Sequence, residues 1–192
     1  EPKINLLRAA LLIARLDNGE IEIEHYLKTV DSMAETIQSD LQPKATEKEK
    51  LEAIGRYMFE QSGFHGSRGD YYNRANSYLN EVIDDREGIP ITLAVLYMEI
   101  ANRLNIPLQG LPLPGHFAVG KIADGKPQTI IDVYNGAKVI SQKEAEELVF
   151  NTSGVRLRNE HYQPATKQDM IVRMFRNLIG ISNANEEPAT VI

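Results

Sequence analysis

Cysteine is absent from all 192 residues of this chain. That one absence removes disulfides, thiolate metal ligands and the thiol nucleophile of cysteine-dependent acyl chemistry. A chain without thiols is indifferent to redox poise, so the composition fits a reducing, cytoplasmic setting. A basic stripe is missing too. The formal charge is -6, whereas phosphate backbones are held by clustered Lys and Arg, so no nucleic-acid partner is expected. No run approaches the roughly 20 apolar residues that span a bilayer, and the patch from Ala9 to Ala14 is short and soon followed by charge. No membrane partner is expected. Glu1-Pro2-Lys3 lacks the form of a secretory signal, although a start at Glu rather than Met is compatible with a trimmed leader. His25, His65 and His161 have no partner at i,i+4 and no Cys/His companion, so neither a metal site nor a cofactor is expected. Heptads, low-complexity tracts and internal repeats are also absent.

What is present reads as an ordinary domain, 42% hydrophobic and 25% charged, for which one compact core is the default. The first third is helical. Residues 4–16 form a dense apolar run stopped by the turn residues Asp17-Asn18-Gly19. Ile23, Tyr26, Leu27, Val30, Met33, Ala34, Ile37 and Leu41 recur at three- and four-residue intervals, which makes a second helix amphipathic until Pro43. Thr46 to Glu49 has the form of a capping box opening a third helix to about Gln61. Residues 63–76, GFHGSRGDYYNRAN, are broken by three glycines and predict a loop. Asn76 or Ser77 is placed to cap a helix carrying Leu79, Val82 and Ile83. Pro90 suits the first turn of the next helix, whose apolar residues Leu93 to Leu104 cover most of its circumference, as burial on several sides requires.

From Leu108 the period becomes strand-like. Residues 117–122 and 128–133 predict two strands joined by a hairpin at Ala123-Asp124-Gly125-Lys126, and residues 137–140 predict a third. Ser141 to Glu144 and Thr166 to Asp169 are further capping boxes, opening helices to about Asn151 and about Ile179.

Three blocks taken together carry a resemblance: residues 63–104, the LPLPGHFAVG of residues 111–120, and the IIDVYNGAKVIS of residues 130–141. They are similar to the SirB1 family of transglutaminase-like, papain-type proteins. The resemblance implies an α+β fold with a helical N-terminal lobe and a central helix on a small antiparallel sheet. It implies a transglutaminase-like domain over residues 1–165 and, over 166–192, the start of a helical repeat region of the tetratricopeptide type. Gly88 and Ala94 set the register of the central helix, and the resemblance then puts Pro90 where the nucleophilic cysteine of active relatives belongs. His116 takes the position of the base and Asp132 that of the residue orienting it.

Three functions follow as expectations. One is a non-catalytic module that binds a protein or peptide through a degenerate cleft formed by Pro90, His116, Asp132 and the 63–77 loop, with Tyr72, Asn76 and Ser77 as binding residues. Another is a cysteine-independent amide hydrolase or acyltransferase using His116 as base, with Thr92, Ser77 or water attacking. The last is a scaffold for helical repeats. Blander readings stand beside each residue. His116 with Asp132 can be a buried staple between strands, Thr92 can bond a backbone carbonyl, Asn76 and Ser77 can be caps, and Tyr71, Tyr72 and Tyr78 can be packing anchors. The Arg68-Gly69-Asp70 tripeptide and the Asn151-Thr152-Ser153 sequon are short enough to arise by chance.

Overall fold

The computed structural model describes residues 4–69 and 72–185. Asp70, Tyr71 and residues 186–192 lie outside it, and with them the Asp70 of the tripeptide, the anchoring role expected of Tyr71 and the end of the 166–192 segment.

Helix α1 (Leu6–Asp17) is capped by Asn5, whose side chain accepts from the Arg8 N–H at 3.0 Å. Helix α2 (Ile23–Asp40) follows and buries Ile23, Val30, Met33, Ala34 and Ile37 from the expected stripe. Thr46 and Glu49 form the capping box of α3 (Glu47–Gly55), and this helix loosens into a π-helical turn, Arg56–Gln61. The next stretch holds β1 (His65–Gly66) and a 3-10 turn, Arg74–Ser77, before α4 (Leu79–Asp85). Strand β2 (Glu87–Gly88) pairs in parallel with β1 just ahead of α5 (Pro90–Arg103). Pro90 takes the first position of α5, where its missing N–H costs nothing.

The main sheet is antiparallel in the order β3 (Gln109–Leu111), β4 (Ala118–Ala123), β5 (Lys126–Asp132), β6 (Lys138–Ile140). Asp124 and Gly125 make the β4–β5 turn with φ of 53° and 70°, a left-handed pair that a two-residue hairpin needs. Helix α6 (Gln142–Ser153) starts on the Ser141 capping box and α7 (Lys167–Asn185) on that of Thr166 and Asp169.

Alternation along the strands divides the core. Phe117, Val119, Ile131 and Val133 join the large cluster formed with α1 to α5 and α7, while Ala118 and Ile130 join Leu111, Ala145, Val149 and Tyr162 toward α6. The protein is therefore an α+β fold with its small antiparallel sheet between helices. Helix α5 sits at the centre: Leu93, Ala94, Leu96, Tyr97, Ile100 and Ala101 are fully buried, and the Tyr97 hydroxyl donates to the Leu51 carbonyl at 3.0 Å. Among the described residues no helix is long and apolar enough to cross a membrane.

Two local expectations are corrected. Neither Asn76 nor Ser77 caps α4. Tyr78 occupies the cap position without a side-chain bond, because the chain arrives through the 3-10 turn, and it is Asn73 that caps that turn by accepting from the Ala75 N–H. Tyr72 is not a packing anchor, being 59% exposed. Tyr78 is one, buried and receiving a hydrogen bond from Arg74 at 2.9 Å.

Candidate functional site

The polar centre is built from the ends of two strands. His116 follows the turn at Pro114-Gly115 just before β4, and Asp132 closes β5. The register pairs Val119 with Ile131, so His116 lies diagonally across from Asp132. Its Nε2 meets Asp132 Oδ1 at 2.8 Å, with both residues only 4% exposed. Asn135, in the turn after β5, completes the carboxylate's shell: its N–H reaches Oδ1 at 3.3 Å and its side-chain amide donates to Oδ2 at 2.6 Å. Burial pushes the Asp132 carboxyl upward, but the hydrogen bond and charge of His116, with the two bonds from Asn135, outweigh it and hold the group below the usual carboxylate range.

Nδ1 of His116 has no hydrogen-bond partner among the described residues. The imidazole is flanked edge-on by the Tyr134 ring at 6.1 Å, and its backbone carbonyl accepts from Arg173 of α7 at 2.9 Å. Arg173 also lies over the Phe117 ring.

The start of α5 is equally enclosed. Thr92 Oγ1 accepts from the Ile89 N–H at 3.1 Å and donates to the Asn76 carbonyl at 2.9 Å. This hydroxyl is committed to capping the helix and tying down the segment that holds Asn76. The same segment is fastened again by the Ser67 N–H to the Gly88 carbonyl at 3.0 Å and by the Tyr134 hydroxyl to the Ser67 carbonyl. Gly66 lies flat against the Tyr134 ring, so close that a Cβ would come within 2.5 Å of a ring carbon. Pro90, Asn76 and Ser77 are buried. The Ser67 and Ser77 hydroxyls are buried without a hydrogen-bond partner among the described residues.

Open grooves of about 190 to 480 Å³ occur elsewhere among the described residues, and none of these is lined by His116, Asp132 or Pro90. Nor is there a described cluster of three or more His, Asp or Glu able to hold a metal ion.

The histidine–carboxylate pair and the proline that opens α5 are both buried, and comparison with known proteins gives the chain a family. The sequence pattern of the transglutaminase-like superfamily matches residues 24–176. The chain belongs to that superfamily. A UPF0162 protein of Xylella fastidiosa (strain 9a5c) is 35% identical over 187 residues, covering 94% of this chain and 66% of the relative. One from Vibrio cholerae is 24% identical over 172 residues, covering 88% and 63%. F-box only protein 21 of Homo sapiens is 32% identical over 138 residues, covering 68% of this chain and 21% of that protein. The chain thus spans about two thirds or less of the curated relatives it matches. No solved structure matches it.

Of the residues singled out from sequence, this transglutaminase-like domain brings His116 and Asp132 into contact, and joins Thr92 to Asn76. Tyr72 is exposed at the surface. Three contributors went unread. Asn135 precedes a glycine, as a turn residue does, and its spacing of three from Asp132 is the available signal. Tyr134 and Arg173 reach the site through ring packing and a backbone carbonyl, for which sequence carries no pattern.

Proposed function

We propose that this is a non-catalytic transglutaminase-like module that works by binding a protein or peptide partner. The observation that carries the reading is Pro90, buried at the first position of α5 where the superfamily resemblance requires a thiol. The nearby Thr92 hydroxyl is already spent on backbone groups. In this reading His116 and Asp132 are an inherited pair retained as a staple, and the partner meets the outer face of residues 63–77, where Tyr72 is exposed. The F-box only protein 21 match, confined to about a fifth of that protein, supports a domain that serves as one part of longer chains. Within the superfamily we assign the chain to the SirB1 type, acting in the cytoplasm, with 166–192 opening a helical repeat region. The net charge of -6 favours a protein partner over nucleic acid.

The test is turnover of amide, ester and glutamine-donor substrates. No rate above background is expected, and an activity lost in His116→Ala or Thr92→Ala would overturn the proposal. Pro90→Cys is the reciprocal test. At a helix start near an imidazole the new thiol should alkylate faster at neutral pH than a surface thiol, and His116→Ala should slow it. One observation favours the hydrolase alternative, the unpartnered buried hydroxyl of Ser77. Activity abolished by Ser77→Ala would establish that alternative.

A further inference from the structure

His116 lies ahead of β4, outside the ladder whose pairing starts with Ala118 opposite Leu111. Sheet hydrogen bonds therefore do not fix its backbone. Its N–H closes its own turn by donating to the Leu113 carbonyl at 3.0 Å, and its carbonyl accepts from the Arg173 guanidinium at 2.9 Å. Among the described residues, only the second of these bonds reaches His116 from outside that turn. The ring is anchored through Nε2 alone, on Asp132 at 2.8 Å, with no described partner for Nδ1. An imidazole hung on one bond goes where its backbone carries it.

The entry into α7 is registered on the strands that surround His116. The Ala165 N–H donates to the Gly110 carbonyl of β3 at 2.8 Å, and the Met170 sulfur lies so near Gly110 that a Cβ there would stand 3.1 Å from it. Three residues further on, Arg173 lies over the Phe117 ring with its guanidinium carbon 5.1 Å from the centroid, and the same ring packs on Gly110. Met170 and Met174, each 1% exposed, seat the helix before and after Arg173. A guanidinium stacked on a ring while donating to a carbonyl is fixed in direction as well as reach, and a hydrogen bond from a charged donor is roughly twice as strong as a neutral one. The turn also meets α6, since a Cβ at Gly115 would stand 3.0 Å from that of Ser153. We propose that Arg173 is the positioning residue of the His116–Asp132 pair, so that the placement of α7 sets the placement of the imidazole. This holds whether the pair is a staple or a base, and so stands apart from the proposed function.

The readout is the His116 ring N–H in proton–nitrogen NMR spectra of the full chain. Arg173→Met keeps an apolar stem and removes the donors; it should displace the ring signal and speed its exchange with solvent by about tenfold or more. Arg173→Lys, which restores one cationic donor, should recover most of the change. Arg176→Met, at an exposed position on the same helix, should do nothing. Met174→Ala removes buried packing one residue away, so it should lower the unfolding midpoint yet leave the ring signal in place. A second readout uses the Pro90→Cys background, where adding Arg173→Met should slow alkylation at neutral pH by about threefold or more and alter its pH profile. Arg173→Gln is the substitute should Arg173→Met fail to fold. An unchanged ring signal in a folded Arg173 variant overturns the proposal. So does an equal displacement in Met174→Ala, which would assign the effect to the packing of α7 rather than to the guanidinium. Because the ring signal is read with Pro90 in place, failure here is distinguishable from the discovery of an enzymatic activity.

Discussion

Helices α5 and α7 both carry apolar residues beyond a single narrow stripe, and only α5 has all of its own covered. Helices α2, α3 and α4 and strand β4 enclose α5, leaving Leu93, Leu96, Tyr97 and Ile100 without exposed surface. Helix α7 has α1 and α5 on its inner side and, among the described residues, nothing over Val172 or Ile179. The contrast teaches that the breadth of an apolar face states how much cover a helix needs, while the topology decides how much of that cover its own domain supplies.

The sharpest test of the contrast is truncation on each helix. Leu96→Ala should cost about 2 to 5 kcal/mol in urea unfolding, the cost of a cavity in an enclosed core. Asp132→Ala should come next, at about 2 to 3 kcal/mol at pH 7, since it leaves His116 and Asn135 without their shared acceptor. Because Asp132 is held below its ordinary value, the pair's contribution is complete above about pH 4 and is lost as pH falls through the lower folded value. The gap between wild type and Asp132→Ala should therefore narrow in urea titrations repeated near pH 2.

The caps rank below these. Thr92→Val keeps the shape but removes the bonds to Ile89 and Asn76, and should lower stability by about 1 to 2 kcal/mol. The smallest effect belongs to the outer face of α7, where Val172→Ser or Ile179→Ser should change the unfolding midpoint by less than about 0.5 kcal/mol. A core-sized loss there would mean that the stripe is already covered within the domain and would erase the contrast with α5.

Signals confined to a few neighbouring residues were legible in the sequence. The boxes at Thr46, Ser141 and Thr166, the Asp124-Gly125 turn and the proline opening α5 each depend on contacts within three or four residues, and each stands where the pattern put it. Strands β1 and β2 could not be read, because two residues have no period and their pairing joins positions 22 apart in sequence. Asn76 and Ser77 misled for a related reason. A local cap motif lost to a long-range bond, the Asn76 carbonyl being drawn to Thr92. At the candidate site the His116–Asp132 relation came from resemblance rather than spacing. Its enclosure depends on Tyr134, Arg173 and Gly66, whose roles exist only once distant segments have met.

Gly66 is a keyhole in that enclosure. Its missing side chain lets the Tyr134 ring lie against the backbone while the hydroxyl clasps Ser67. One added methyl group would act as a wedge, prising the ring from its seat and unhooking the clasp together. The contact that holds Tyr134 beside the His116 imidazole is thus a latch released at a single carbon, and Gly66→Ala offers a way to loosen that side of the site without touching His116, Asp132 or Pro90.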